Sequence, residues 1–116
     1  FTPTCSMSHL PGFVDKADEI FSKGVDTIAC MAVNDVIVMK AWGADQNVGD
    51  KVLMLADGNA DYTKALGLEL DATKFGMGVR GQRFAIIVDD GVATHVAVEE
   101  PASFDVSRAE AVLEAL

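Results

Sequence analysis

The stretch VDTIACMAV, residues 25–33, decides the fold. It is almost continuously apolar, follows Gly24 and gives way to Asn34-Asp35. A run this short and this apolar suits a strand buried on both faces, as in a parallel sheet. KVLMLA, residues 51–56, closed by Asp57-Gly58, has the same character. Between the two, residues 35–45 carry Val36, Met39 and Trp42 at helical spacing. The segment therefore predicts strand, helix, strand, joined by a right-handed crossover.

Further along, residues 83–88 and 92–98 flank Asp89-Asp90-Gly91, which predicts an antiparallel hairpin with a short turn. Ser107 and Glu110 have the S-x-x-E spacing of a capping box. Behind them Ala109, Val112, Leu113 and Leu116 make one apolar helical stripe. Toward the start, Phe13/Val14, Ala17 and Ile20/Phe21 predict another amphipathic helix, with Pro11-Gly12 as its kink or boundary. The order helix, β, α, β, α, β, β, α is an α/β fold, a mixed central sheet with flanking helices. A sheet opening on a helix is expected to take its first strand from upstream, and these residues offer none.

Composition narrows the function. With 116 residues, half of them hydrophobic, and only 10 Gly and 3 Pro, the chain is expected to form one domain over residues 1–116 rather than a disordered tract. Eighteen acidic against nine basic side chains leave a net charge of −9. That balance disfavours nucleic acid or an anionic membrane surface as partner, since both select clustered Lys and Arg. No apolar run approaches the ~20 residues that span a bilayer. Two cysteines are too few for a stapled secreted scaffold. FTPTC at the start lacks the pattern of a signal peptide. It also lacks an initiator Met, so the sequence is expected to begin part-way through a longer chain. The expected compartment is the cytoplasm, with a missing leader as the exception.

Cys5 is the sharpest chemical feature. Thr2-Pro3-Thr4-Cys5 reads as a helix start, with Thr2 as cap and Pro3 in the first turn. Unpaired N–H groups and the positive end of the helix dipole favour thiolate there. The competing reading is a buried cysteine acting as a small hydrophobe. Cys30, mid-strand, reads as core packing, where burial raises a thiol's pKa and hides it; the sharper alternative is a disulfide partner for Cys5. Arg83, at the start of an apolar strand, is either a support for the thiolate or a solvated arginine paired with a carboxylate. The residues alone favour the latter. His9, four residues beyond Cys5, would share its helix face as general base, metal ligand or packed, hydrogen-bonded histidine, and the last is favoured. The spacings of Cys5, His9, Cys30 and His95 match no zinc pattern. Neither a metal nor a cofactor is implied.

FTPTCS (residues 1–6) followed by HLPGF (residues 9–13) resembles the active-site segment of the peroxiredoxin 5 subfamily, the type II or atypical two-cysteine peroxiredoxins. The resemblance continues through residues 24–35, VMKAWG, KVLMLADGN, TKALGLELD, GVRGQRFAIIVDDG and SRAEAVLEAL, which is essentially the whole chain. It implies a thioredoxin-like fold and a thiol peroxidase acting on hydrogen peroxide and alkyl hydroperoxides. By position it implies that Cys5 is the peroxidatic cysteine, which becomes a sulfenic acid. Thr2 holds peroxide and thiolate by its hydroxyl, and Arg83 polarises the peroxide. Cys30, 25 positions after Cys5, coincides with the second cysteine of many type II members, where it resolves the sulfenic acid in some and is dispensable in others. The implied reductant is glutathione with glutaredoxin, or thioredoxin, and the implied assembly is a homodimer. The family motif, PGAFTPTC, begins with a proline that lies off the start of this sequence, so a piece of a domain of roughly 160 residues is expected. A redox-sensing module that relays cysteine oxidation to a partner is the rival reading.

Overall fold

A wide π turn, Cys5–His9, leads directly into α1 (Leu10–Asp15) and α2 (Ala17–Ser22). β1 (Ala29–Ala32), α3 (Val36–Asp45), β2 (Leu53–Ala56) and α4 (Asp61–Ala65) follow. Next come β3 (Glu69–Asp71), a 3-10 turn at Thr73–Phe75, and β4 (Val79–Gly81). β5 (Phe84–Asp89), β6 (Val92–Val98) and α5 (Ala109–Ala115) complete the chain. The structure is a computed structural model that describes residues 1–116. It divides into two compact units, Phe1–Thr27 with Arg83–Leu116, and Ile28–Gln82.

In the first unit, Pro11 explains the opening turn. Proline inside a helix has no N–H for the carbonyl four residues back and its ring crowds that carbonyl. One turn earlier the backbone widens, and the Leu10 N–H reaches back five residues to the Cys5 carbonyl. Pro11 and Gly12 are thus helical, and the break expected there falls instead at Lys16, whose φ and ψ are −102° and 11°. Ala17 and Ile20 of the predicted stripe are buried, together with Leu10, while Phe13, Val14 and Phe21 are half-buried. Burying Ile20 alone contributes about 1.5–3 kcal/mol. α1 and α5 approach closely at Gly12, where an added Cβ would meet the Ala109 Cβ at 3.7 Å.

β5 and β6 form the expected hairpin, in register from Phe84↔Val98 to Asp89↔Val92 with a bulge between Ile87 and Val88. Its two-residue loop, Asp90-Gly91, has φ of 49° and 78°. Positive φ at both loop positions is the turn that matches strand twist, and Asp-Gly is a favoured pair for it. The capping box at α5 does not form. Arg108 is the N-cap without a side-chain bond, and the Ser107 hydroxyl donates instead to the Glu99 carboxylate at 2.7 Å. A carboxylate inside the unit competes better for that hydroxyl than a helix N–H that water can also satisfy.

In the second unit, β1 and β2 pair in parallel, Ala29↔Leu53 to Ala32↔Ala56, with α3 between them in sequence. Asp35 caps α3, accepting the Val38 N–H at 2.8 Å. Met39, Trp42 and Gly43 form its buried face while Val36 stands exposed. A Cβ on Gly43 would lie 3.0 Å from Met54 Cγ, so α3 lies against one face of β2. Alternation sends Leu53 and Leu55 to the other face, and both are exposed; the expected burial on both faces is therefore not found. Cys30 is likewise half-buried rather than sealed in a core. β3 and β4 form an antiparallel pair, Glu69↔Gly81 to Asp71↔Val79, that the sequence pattern did not announce because each strand is only three residues long. Strand pairing is therefore mixed, parallel and antiparallel, in three two-stranded ladders.

Candidate active site around Cys5

Cys5 opens the π turn. Thr2 lies just before the helix, its carbonyl accepting the Ser6 N–H at 2.9 Å. Arg83 reaches the same sulfur from the residue immediately before β5, with Nη2 3.9 Å from Cys5 Sγ. The guanidinium is held by the Ser103 carbonyl, which accepts from Nη1 at 2.6 Å. That carbonyl takes the place of the carboxylate partner that the residues alone favour. Arg83 Nε is buried and has no hydrogen-bond partner.

His9 has the last of its sequence readings. It is packed and hydrogen-bonded: Nε2 donates to the Ser107 carbonyl at 3.0 Å, and the ring lies 5.6 Å from Phe13 and 5.4 Å from Phe104, centroid to centroid. It is also one of the groups whose hydrogen bonding lowers the Cys5 thiol. A carbonyl only accepts, so Nε2 carries a proton.

Partial burial pushes the Cys5 thiol up, but hydrogen bonding from His9, then Thr2, then Arg83, with the attraction of the Arg83 charge, outweighs it. The net effect lowers the thiol from an ordinary 9.0 to about 6. Near pH 7 the thiolate then exceeds the thiol by about ten to one. A cysteine with this environment and partial exposure is a nucleophile.

Cys5, Thr2 and Arg83 are thus brought together in one unit. Cys30 sits in β1 of the other unit, opposite Met54 in the parallel register, and neither cysteine is in a disulfide. No three His, Cys, Asp or Glu side chains converge as a metal-ligating group, and no helix is long and apolar enough to cross a membrane. The sequence reading missed Glu99, buried at 7% exposure and linked by Ser107 to His9. Its one visible signal is an acidic residue directly after the apolar strand 92–98.

The Redoxin family model matches residues 1–113. Peroxiredoxin-2B of Arabidopsis thaliana is 53% identical over 116 residues, covering 100% of this chain and 72% of that protein. The chain belongs to the peroxiredoxins. Chloroplastic Peroxiredoxin-2E of the same plant is 52% identical, again over the whole chain, which spans 50% of that relative's length. Among solved structures, reduced Prx3 of Vibrio vulnificus in complex with hydrogen peroxide superposes with a TM-score of 0.96 at 58% identity, covering 100% of this peroxiredoxin and 74% of that chain. Identity and superposition at this level give the peroxiredoxin the thioredoxin-like α/β fold that its residues resemble.

Proposed function

We propose that this peroxiredoxin chain is a thiol peroxidase, acting within one domain over residues 1–116. The observation that carries the reading is the placement of the Arg83 guanidinium 3.9 Å from Cys5 Sγ, with the Ser103 carbonyl holding its other end at 2.6 Å. The guanidinium charge supports the thiolate and, in the reaction, the negative charge that develops on the departing peroxide oxygen. The 58%-identical Vibrio vulnificus relative, solved with hydrogen peroxide, supports the substrate class.

In the reaction, Cys5 Sγ attacks one oxygen of a hydroperoxide. The S–O bond forms as the O–O bond breaks. Sulfur gives up two electrons and becomes a sulfenic acid, and the departing oxygen leaves as hydroxide or alkoxide and takes up a proton. Thr2 holds the thiolate and peroxide by its hydroxyl, and Arg83 donates to the oxygen on which charge develops. His9, with Nε2 fixed on the Ser107 carbonyl, helps hold the thiolate. A reductant thiol then attacks the sulfenic sulfur, water leaves, and a second thiol releases Cys5. Glutathione with glutaredoxin, or thioredoxin, fills that role, and a homodimer is the proposed assembly.

Peroxide consumption by the chain with excess thiol is expected to vanish in Cys5→Ser; a variant that kept its rate would refute the assignment. A single oxidation without turnover would favour the sensor reading. Cys30 is the candidate second thiol. After one equivalent of peroxide, a Cys5–Cys30 linkage in non-reducing mass spectrometry supports that role, and a glutathione adduct on Cys5 without the linkage removes it.

A further inference from the structure

Glu99 is a buried carboxylate for which the proposed chemistry has no use. One oxygen, Oε2, accepts three donors: the Asp105 N–H at 2.7 Å, the Ser107 N–H at 2.9 Å and the Ser107 hydroxyl at 2.7 Å. Burial opposes the charge, and the hydrogen bonds from Ser107, Asp105 and Val106 together outweigh it, holding the carboxyl down at about 2. Ser107 is itself fully buried. The turn so gripped, residues 103–107, is the one that touches both side chains facing the sulfur. Ser103 offers its carbonyl to Arg83 at 2.6 Å. Ser107 offers its carbonyl to His9 at 3.0 Å, and Phe104 packs on the His9 ring.

We propose that Glu99 is a positioning residue for Cys5: it fixes the 103–107 turn so that two backbone carbonyls aim Arg83 and His9 at the sulfur. The inference rests on the thiolate reading of Cys5. A neutral acceptor would satisfy one or two of the donors, whereas a carboxylate oxygen receives three at short distance. No cation pairs with Glu99; its three donors are neutral, so the negative charge stays inside the turn rather than neutralising Arg83.

The sign of one measurement separates this role from two others. Through space, removing the Glu99 charge would lower the Cys5 pKa, since a nearby anion disfavours a thiolate. A scaffold role without aim would leave it unmoved in any folded variant. Loss of aim raises it. The experiment follows iodoacetamide alkylation of Cys5 against pH in a Cys30→Ser background, for the wild-type residue, Glu99→Ala, Glu99→Asp and Glu99→Gln. Glu99→Asp keeps the charge but withdraws the oxygen by one methylene, and covers the case in which Glu99→Ala fails to fold.

A rise of about one unit in the Ala and Asp variants, read as roughly five-fold slower alkylation at pH 6, is the expected result. Glu99→Gln, whose neutral oxygen keeps the reach but satisfies only some of the three donors, is expected to recover part of the rate. An unchanged or lowered midpoint in a variant with native circular dichroism overturns the inference while leaving the thiolate reading intact. A parent midpoint near that of an ordinary thiol would overturn both.

Discussion

Arg83 and Glu99 face each other one step beyond the Phe84↔Val98 pair of the hairpin, the Glu99 N–H donating to the Arg83 carbonyl at 2.9 Å. Their side chains nevertheless part company. Arg83 turns to Ser103 and Cys5, and Glu99 to Asp105 and Ser107. A direct ion pair across that rung would spend the guanidinium's charge on a carboxylate. Routing each side chain to the 103–107 turn keeps the cation for the sulfur and still satisfies the buried anion.

Replacing Arg83 is expected to damage the site in two separable ways. Arg83→Gln removes the charge and should raise the Cys5 pKa by about one unit or more and slow peroxide reduction about 100-fold. Arg83→Lys keeps a charge but not the planar fork, so thiolate titration should recover more than the peroxide rate does. Stopped-flow oxidation beside an alkylation profile measures both; equal recovery of the two would remove the planar fork from the mechanism.

The lowered Cys5 pKa also leaves a mark on stability. With an ordinary value of 9.0 and a folded value of about 6, the folded state favours the thiolate. Its contribution is complete above pH 9 and is lost as pH falls through about 6. Urea titrations should therefore show the wild-type residue gaining on Cys5→Ser between pH 6 and pH 9. A constant gap across that range would mean that the sulfur is not perturbed.

Glu99 gives the acid counterpart. Its carboxyl is held at about 2 against an ordinary 4.5, so its stabilisation is whole above about pH 4.5 and disappears as pH drops toward 2. Glu99→Gln should flatten the stability profile in that window while leaving the neutral-pH slope alone. Thermal melts at half-unit intervals would show it, and a profile identical to the parent's would place the carboxylate in water.

The two ends of the missing capping box should behave unequally. Ser107→Ala takes a hydrogen bond from a buried carboxylate and should cost about 1.5–3 kcal/mol. Glu110 is engaged only in an exposed pair with Arg108, and Glu110→Ala should stay within about 0.5 kcal/mol. A capping box would make both losses similar, so chemical denaturation of the pair of variants discriminates directly.

Much of the architecture was legible because local patterns determine it: the strands around Cys30 and Met54, the Asp90-Gly91 loop, and the buried Ala17 and Ile20 each follow from side-chain period or turn chemistry. The rest depends on groups distant in sequence. Ser107 had the spacing of a cap, yet its hydroxyl answers to Glu99, which only the fold of the intervening turn brings onto it. Arg83 read as an ordinary strand-end cation because the Ser103 carbonyl that aims it is a backbone atom, invisible in side-chain types. The π turn went unseen because Pro11 signals a disturbance without saying whether the helix stops, bends or widens.

That widening has a consequence for how the reactive centre can change over time. In an unbroken α-helix, the heading of every side chain is locked to the stripe that anchors it, so rotating a cysteine means repacking Leu10, Ala17 and Ile20. The extra residue accommodated between Cys5 and Leu10 works as a slip joint. Substitutions within Ser6, Met7 and Ser8 can retune where the sulfur points while the anchoring residues stay as they are.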